Sequence, residues 1–242
     1  MKIKLLLFSA LLLAFATSVF AQSVVITSKK TTYTRKKPIM DFKRTFTVNR
    51  PLVKASTPAL SKKIQTAISP EKVLMFNLQE ELTEVQWLEE TDYEVLYNKN
   101  GILSVSFSMT GTGAYPTTTY KNVVVNTKTG AAVKAADVFT NLKGLAAFVK
   151  KQQAEEVKAS IEEIKKEKDF NEPNPESLFE STDFEVINLE GFSVNNDGVI
   201  FNYEYGFPHV IEALEPSGSY QFGWKQLKPF IKPTGLFGQF VK

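Results

Sequence analysis

Three consecutive stretches, Tyr93-Glu-Val-Leu-Tyr97, Asn98-Lys-Asn-Gly101 and Leu103-Ser-Val-Ser-Phe-Ser-Met109, decide the fold class. Asn-Gly accepts the positive φ values that a tight hairpin turn demands, so the flanking runs read as two antiparallel strands. In the second run Leu103, Val105, Phe107 and Met109 fall on one side and Ser104, Ser106 and Ser108 on the other. That alternation predicts a half-buried strand with one dry face and one wet face. The Gly-rich bend Thr110-Gly-Thr-Gly-Ala-Tyr-Pro116 interrupts the pattern, strand resumes over Thr117–Asn126, and Thr127-Lys-Thr-Gly130 turns again.

Working outward, a second hairpin follows the same logic: Phe192-Ser-Val194, the turn Asn195-Asn-Asp-Gly198, then Val199, Phe201, Tyr203 and Tyr205 in alternation. Tyr220, Phe222 and Trp224 alternate once more after a loop from Gly206 to Gly218, and Leu227, Phe230 and Ile231 fit a short closing helix. Phe42-Lys-Arg-Thr-Phe-Thr-Val48 also reads as strand. Thr57-Pro58 is a helix start, with threonine as cap and proline at the first helical position, and Leu60, Ile64 and Ile68 line one side of the helix that follows. Thr140 or Asn141 caps the longest helix, expected over about residues 142–168, with Leu145, Phe148, Val149, Gln152, Val157, Ile161 and Ile164 on its inner face. An acidic, proline-containing connection spans residues 169–186. Helices followed by antiparallel strands in each half predict an α+β protein, antiparallel sheets from β-hairpins with one short and one long amphipathic helix packed on them, and exclude a parallel βαβ arrangement. The halves divide at 22–135 and 136–242.

The first 21 residues have the layout of a secretory signal peptide: Lys2 and Lys4, an uncharged apolar run from Leu5 to Val19, and small residues at Val19 and Ala21. The run is short for a membrane span. Cleavage before Gln22 and an exported, periplasmic or secreted mature chain are expected, without a later span. Losing Lys2 and Lys4 leaves 27 basic against 26 acidic residues, a net +1, so no global field recruits nucleic acid. Seven basic residues between Lys29 and Arg44 read as the solvated face of an edge strand, where lysine blocks edge-to-edge pairing.

Composition removes much chemistry. Zero cysteines exclude disulfides, thiolate metal sites and a cysteine nucleophile. One histidine, His209, is a poor basis for a zinc site or for Ser–His–acid catalysis, and no Gly-x-Ser-x-Gly elbow exists. No cofactor and no metal are expected. Adjacent acids such as Glu80-Glu81 and Glu89-Glu90 suit solvated surface better than a hydrolytic pair. Aromatics are the stronger lead, because tyrosine and tryptophan beside small residues give rigid contact area to a protein or to sugar faces. Tyr115, Phe207 and His209 lie off the strand pattern and are predicted exposed; with Tyr120 and Glu212 they form the candidate ligand-binding set on the 110–120 bend and the 206–218 loop.

Leu103-Ser-Val-Ser-Phe107, Gly113-Ala-Tyr-Pro116, Asn126-Thr-Lys-Thr-Gly130, Ala136-Asp-Val-Phe139, Phe201-Asn-Tyr-Glu-Tyr-Gly-Phe-Pro208 and Trp224-Lys-Gln-Leu-Lys-Pro-Phe230 together resemble a secreted pair of domains of unknown function. That pair occurs in the ectodomain of RsiV-type anti-sigma factors and in the N-terminal part of PdaC-type peptidoglycan deacetylases. The resemblance spans about residues 75–232. It implies an extracytoplasmic, non-catalytic α+β module near the cell wall, whose ligand is a lysozyme-like protein or a peptidoglycan fragment. The family's histidine position is Tyr115 here, so any contact that needs imidazole is lost there. Two other readings remain: a carboxylate-dependent envelope glycan hydrolase, and a structural or assembly protein attached through the basic 29–44 segment.

Overall fold

The computed structural model describes residues 23–166 and 174–242. The signal-peptide reading, the last residues expected of the long helix and the start of the acidic connection lie outside them. A six-stranded sheet runs in chain order: β1 (Val25–Thr34), β2 (Thr45–Lys54), β3 (Leu88–Lys99), β4 (Ile102–Thr112), β5 (Pro116–Asn126) and the two-residue β6 (Ala131–Ala132). A three-stranded sheet follows, β7 (Phe192–Val194), β8 (Gly198–Asn202) and β9 (Ser219–Gly223). Helices α1 (Pro58–Ala67), α2 (Pro70–Val73) and α3 (Leu78–Thr83) link β2 to β3; α4 (Ala135–Val138) and α5 (Leu142–Ile164) link the sheets, and α6 (Trp224–Leu227) follows β9. The α+β class is as expected. Among the described residues no helix is long and apolar enough to cross a membrane.

The β3–β4 hairpin turns at Asn100 and Gly101, with φ of 56° and 78°. Such left-handed values belong to Asn-Gly turns and match the twist of the flanking strands. Thr57 caps α1 by accepting a hydrogen bond from the Leu60 N–H at 3.1 Å, and Ile64 and Ile68 bury against Leu103, Val105 and Phe107 of β4. This is the dry face of the sheet.

Several expectations need correction. The face of β4 that carries its serines is not wet throughout. Ser104 is fully buried, and its Oγ accepts the Val194 N–H of β7 at 3.0 Å. Ile102 and Val124 flank it in a core shared with Phe139, Phe192, Phe201 and Phe237, so the second sheet covers this end of the first. One hydrophobic cluster thus draws on residues of both halves, while others lie within the first. The sheet also contains one parallel pair, Thr47 beside Glu90 and Val48 beside Thr91, because the α1–α3 crossover brings β3 back in the direction of β2. Asp41–Lys43 is a 3-10 turn, so the strand expected from Phe42 starts at Thr45. Gln153, not Gln152, is the buried amide of α5: it donates to the Thr182 carbonyl and accepts the Phe184 N–H, both at 2.7 Å. Trp224 opens α6 instead of ending a strand, with its ring stacked on Phe240 at 4.0 Å.

The basic segment departs furthest from expectation. Lys29, Lys36 and Lys37 are exposed, but Arg35 and Lys43 turn inward. The Arg35 guanidinium donates to the carbonyls of Glu81, Lys43 and Leu88 at 2.7–2.8 Å and to the Glu81 carboxylate at 3.3 Å. Its plane lies over the Phe46 ring, 4.4 Å from the centroid. The Lys43 ammonium donates to the Gln86 carbonyl at 2.9 Å and to that of Thr112. Charge is tolerated there because every nitrogen of the two groups donates to at least one oxygen.

Candidate functional site

Antiparallel register sets polar side chains side by side on the second face of the large sheet: Glu94 with Ser106 and Asn122, then Asp92 with Ser108 and Tyr120. Thr110 and Thr118 share a hydroxyl–hydroxyl bond of 2.8 Å at the next rung. Covering by the second sheet stops after Ser104. From Ser106 outward a cleft of about 300 Å³ opens between Ser106, Tyr120 and Asn122 on one wall and Ser193, Asn202 and Ser219 on the other. Tyr203 and Glu204 also line it and border a second hollow of about 310 Å³ that includes Asn188 and Gly191.

Two contacts join the large sheet and its bend to the 203–214 segment. Lys121 reaches Glu204 at 3.0 Å. Tyr115 from the bend stacks on His209 from the loop, with centroids 4.5 Å apart and planes 19° from parallel. The His209 Nδ1 in turn meets the Glu212 carboxylate at 2.8 Å. The two irregular segments singled out in the sequence thus meet in space. Tyr115 and Tyr120 are 56% and 61% exposed, Tyr120 lines the cleft, and His209 and Glu212 are exposed. Phe207 is corrected: it is buried with Ile164, Tyr205 and Phe179, since an aromatic at a loop's root finds apolar neighbours when the loop folds back on a helix.

What holds the 203–218 loop in place is a carboxylate that the sequence did not single out. Glu156 of α5 accepts from the Ser217 hydroxyl at 2.7 Å, the Gly218 N–H at 3.2 Å, and the hydroxyls of Tyr220 and Tyr205 at 2.7 and 3.1 Å. The two phenols also touch each other at 2.7 Å. Glu215 accepts the N–H groups of Tyr205 and Gly206, both at 2.9 Å. On a charged helix face Glu156 looks like every other exposed glutamate, and only the folded loop distinguishes it.

Burial pushes the Tyr205 and Tyr220 hydroxyls well above the ordinary tyrosine value, and the nearby Glu156 charge pushes the same way. A folded-state value above the unfolded one means that the stabilisation is complete below the ordinary value of 10.0 and is lost as pH rises past it. A spectroscopic titration is therefore expected to show part of the phenolate signal only in a strongly alkaline step that coincides with unfolding. Tyr205→Phe should shrink that step; an unchanged step would refute the assignment.

Two solved structures share this fold. A DUF3298 family protein from Pseudomonas aeruginosa PAO1 superposes with a TM-score of 0.55 at 14% identity, over 87% of this chain and 94% of that one. A member of the same family from Bacteroides fragilis gives a TM-score of 0.54 at 14% identity, over 91% of this chain and 98% of that one. The likeness is one of fold, to a class of domains whose function is unknown. No protein-family model matches the sequence, and no curated protein matches it.

Proposed function

We propose that the chain is an exported, non-catalytic binding module and that the inter-sheet cleft takes a cell-wall glycan. The observation that carries this reading is the cleft's lining: Ser106, Asn122, Asn202 and Ser219 line it together with Tyr120 and Tyr203, beside the apolar Leu96 and Ile200. A sugar presents hydroxyls around its rim and C–H groups on its faces, and this lining offers hydrogen-bonding groups and ring faces to match. The cleft's one carboxylate, Glu204, is paired with Lys121. A glycan hydrolase would need two carboxylates free to exchange protons, whereas Glu156 and Glu215 are both engaged in holding the loop. The signal-peptide layout and the short motifs resembling RsiV-type and PdaC-type domains support the same address and role.

Calorimetric titration with soluble peptidoglycan fragments tests the proposal. Saturable binding is expected, and Tyr120→Ala combined with Asn202→Ala should weaken it by roughly tenfold or more, about 1.4 kcal/mol or above. No binding by the unaltered protein would sink the glycan reading. Binding to a lysozyme-like protein that the same substitutions abolish would keep the cleft and change its ligand.

A further inference from the structure

On the opposite side of the large sheet from the cleft, α1 packs against the 127–130 turn and β6. The approach is close: a Cβ on Gly130 would lie 2.6 Å from the Cβ of Lys63, and Gly130 sits at a φ of +76°. Between the helix and β6 lies an open trough of about 480 Å³. Its floor is methyl groups, from Ala59, Ala67, Ala131 and Ala132, and its walls are Lys62, Lys63 and Lys72. No carboxylate lines it. None of the three lysines stands within ion-pair distance of an acid among the described residues. In a chain whose overall charge is nearly balanced, three unneutralised ammonium groups around one apolar floor are a local asymmetry.

We infer that this trough binds a single-chain anionic amphiphile, an alkyl chain with a carboxylate or phosphate head. The alkyl chain removes the alanine floor from water, where each buried methylene is favourable, and the head group takes the ammonium charges that no side chain here neutralises. Lysine stems extend the apolar walls while their charges stay at the rim. The lining favours a free chain over a bilayer surface: a trough runs between the lysines along the alanines, and none of the lining residues carries a large apolar side chain to enter a membrane. The volume is within the range of small-molecule sites. This inference does not depend on the glycan reading, because the two sites lie on opposite faces of the sheet.

Dodecanoate, below the concentration at which it forms micelles, is the probe, with dodecyltrimethylammonium as the cationic control and phosphatidylglycerol vesicles as the bilayer control. Saturable binding of dodecanoate with little binding of the cation is expected. The triple variant K62E/K63E/K72E should lose roughly tenfold or more in affinity, since every wall charge is reversed. Ala132→Trp, which fills the trough without changing charge, should also abolish binding. Circular dichroism checks that both variants stay folded. Equal binding of the cation, indifference to both variants, or binding to vesicles alone would overturn the proposal.

Discussion

Replacing Arg35 with alanine is expected to cost about 3–5 kcal/mol of folding free energy, the range for breaking a buried ion pair from one side. The substitution strips donors from the carbonyls of Glu81, Lys43 and Leu88 together. It also leaves the Glu81 carboxylate buried without its cation, although that group still accepts the Leu88 N–H at 2.8 Å. The packing of the guanidinium over Phe46 goes as well. Arg35→Met tests which part dominates. It keeps much of the stem's volume, so a loss near that of alanine would locate the stabilisation in the polar contacts. Combining Arg35→Met with Glu81→Gln removes both charges and should be milder than Arg35→Met alone. Urea unfolding measures all three; a loss below about 1 kcal/mol for Arg35→Ala would place Arg35 among ordinary surface cations.

Glu156→Ala is expected to be nearly as damaging, and its effect reaches the cleft. Removing the carboxylate leaves the Tyr205 and Tyr220 phenols with one another as their remaining strong partner, and it frees the Ser217 hydroxyl and the Gly218 N–H. An orphaned buried polar group costs about 1–3 kcal/mol, so a total of about 3 kcal/mol is expected. Ser217 lines the cleft and Tyr203 pairs with Gly218 through its backbone, so the loosened loop also carries cleft groups out of position. Glycan affinity should therefore fall in Glu156→Ala although Glu156 is not a cleft residue. Glu156→Gln keeps one acceptor oxygen and should recover part of both losses. Full stability with unimpaired binding in the alanine variant would contradict this account.

The parts of the fold that were legible in the sequence are those fixed by neighbours along the chain. Asn100-Gly101 dictates its own turn, Thr57-Pro58 its own helix start, and Asn141 its own cap, through a bond from the Gly144 N–H. Tyr115 and His209 stood out because they broke a strand pattern, and they meet. What could not be read depends on one segment docking on another. Ser104 has the same identity as Ser106 and the same place in the alternation, yet one is sealed by β7 and the other borders the cleft. Arg35 and Lys43 read as surface because their partners are backbone carbonyls, which leave no mark in the sequence. The cleft walls are equally silent: Ser106 and Asn122 face Asn202 and Ser219 only after the two sheets have packed.

The strand order has a consequence for the route by which this chain reaches its native state. Most neighbours in the large sheet are also neighbours along the chain, so β3, β4 and β5 can zip up through short local closures, and β1 with β2 likewise. The β2–β3 seam is different, since its few parallel pairs form only when the whole α1–α3 excursion has been drawn closed. Loop-closure entropy concentrates on that step. The Arg35 cluster, which ties the end of β1 to α3 and the start of β3, fastens that seam and is expected to form after the hairpins, as a lock more than a nucleus.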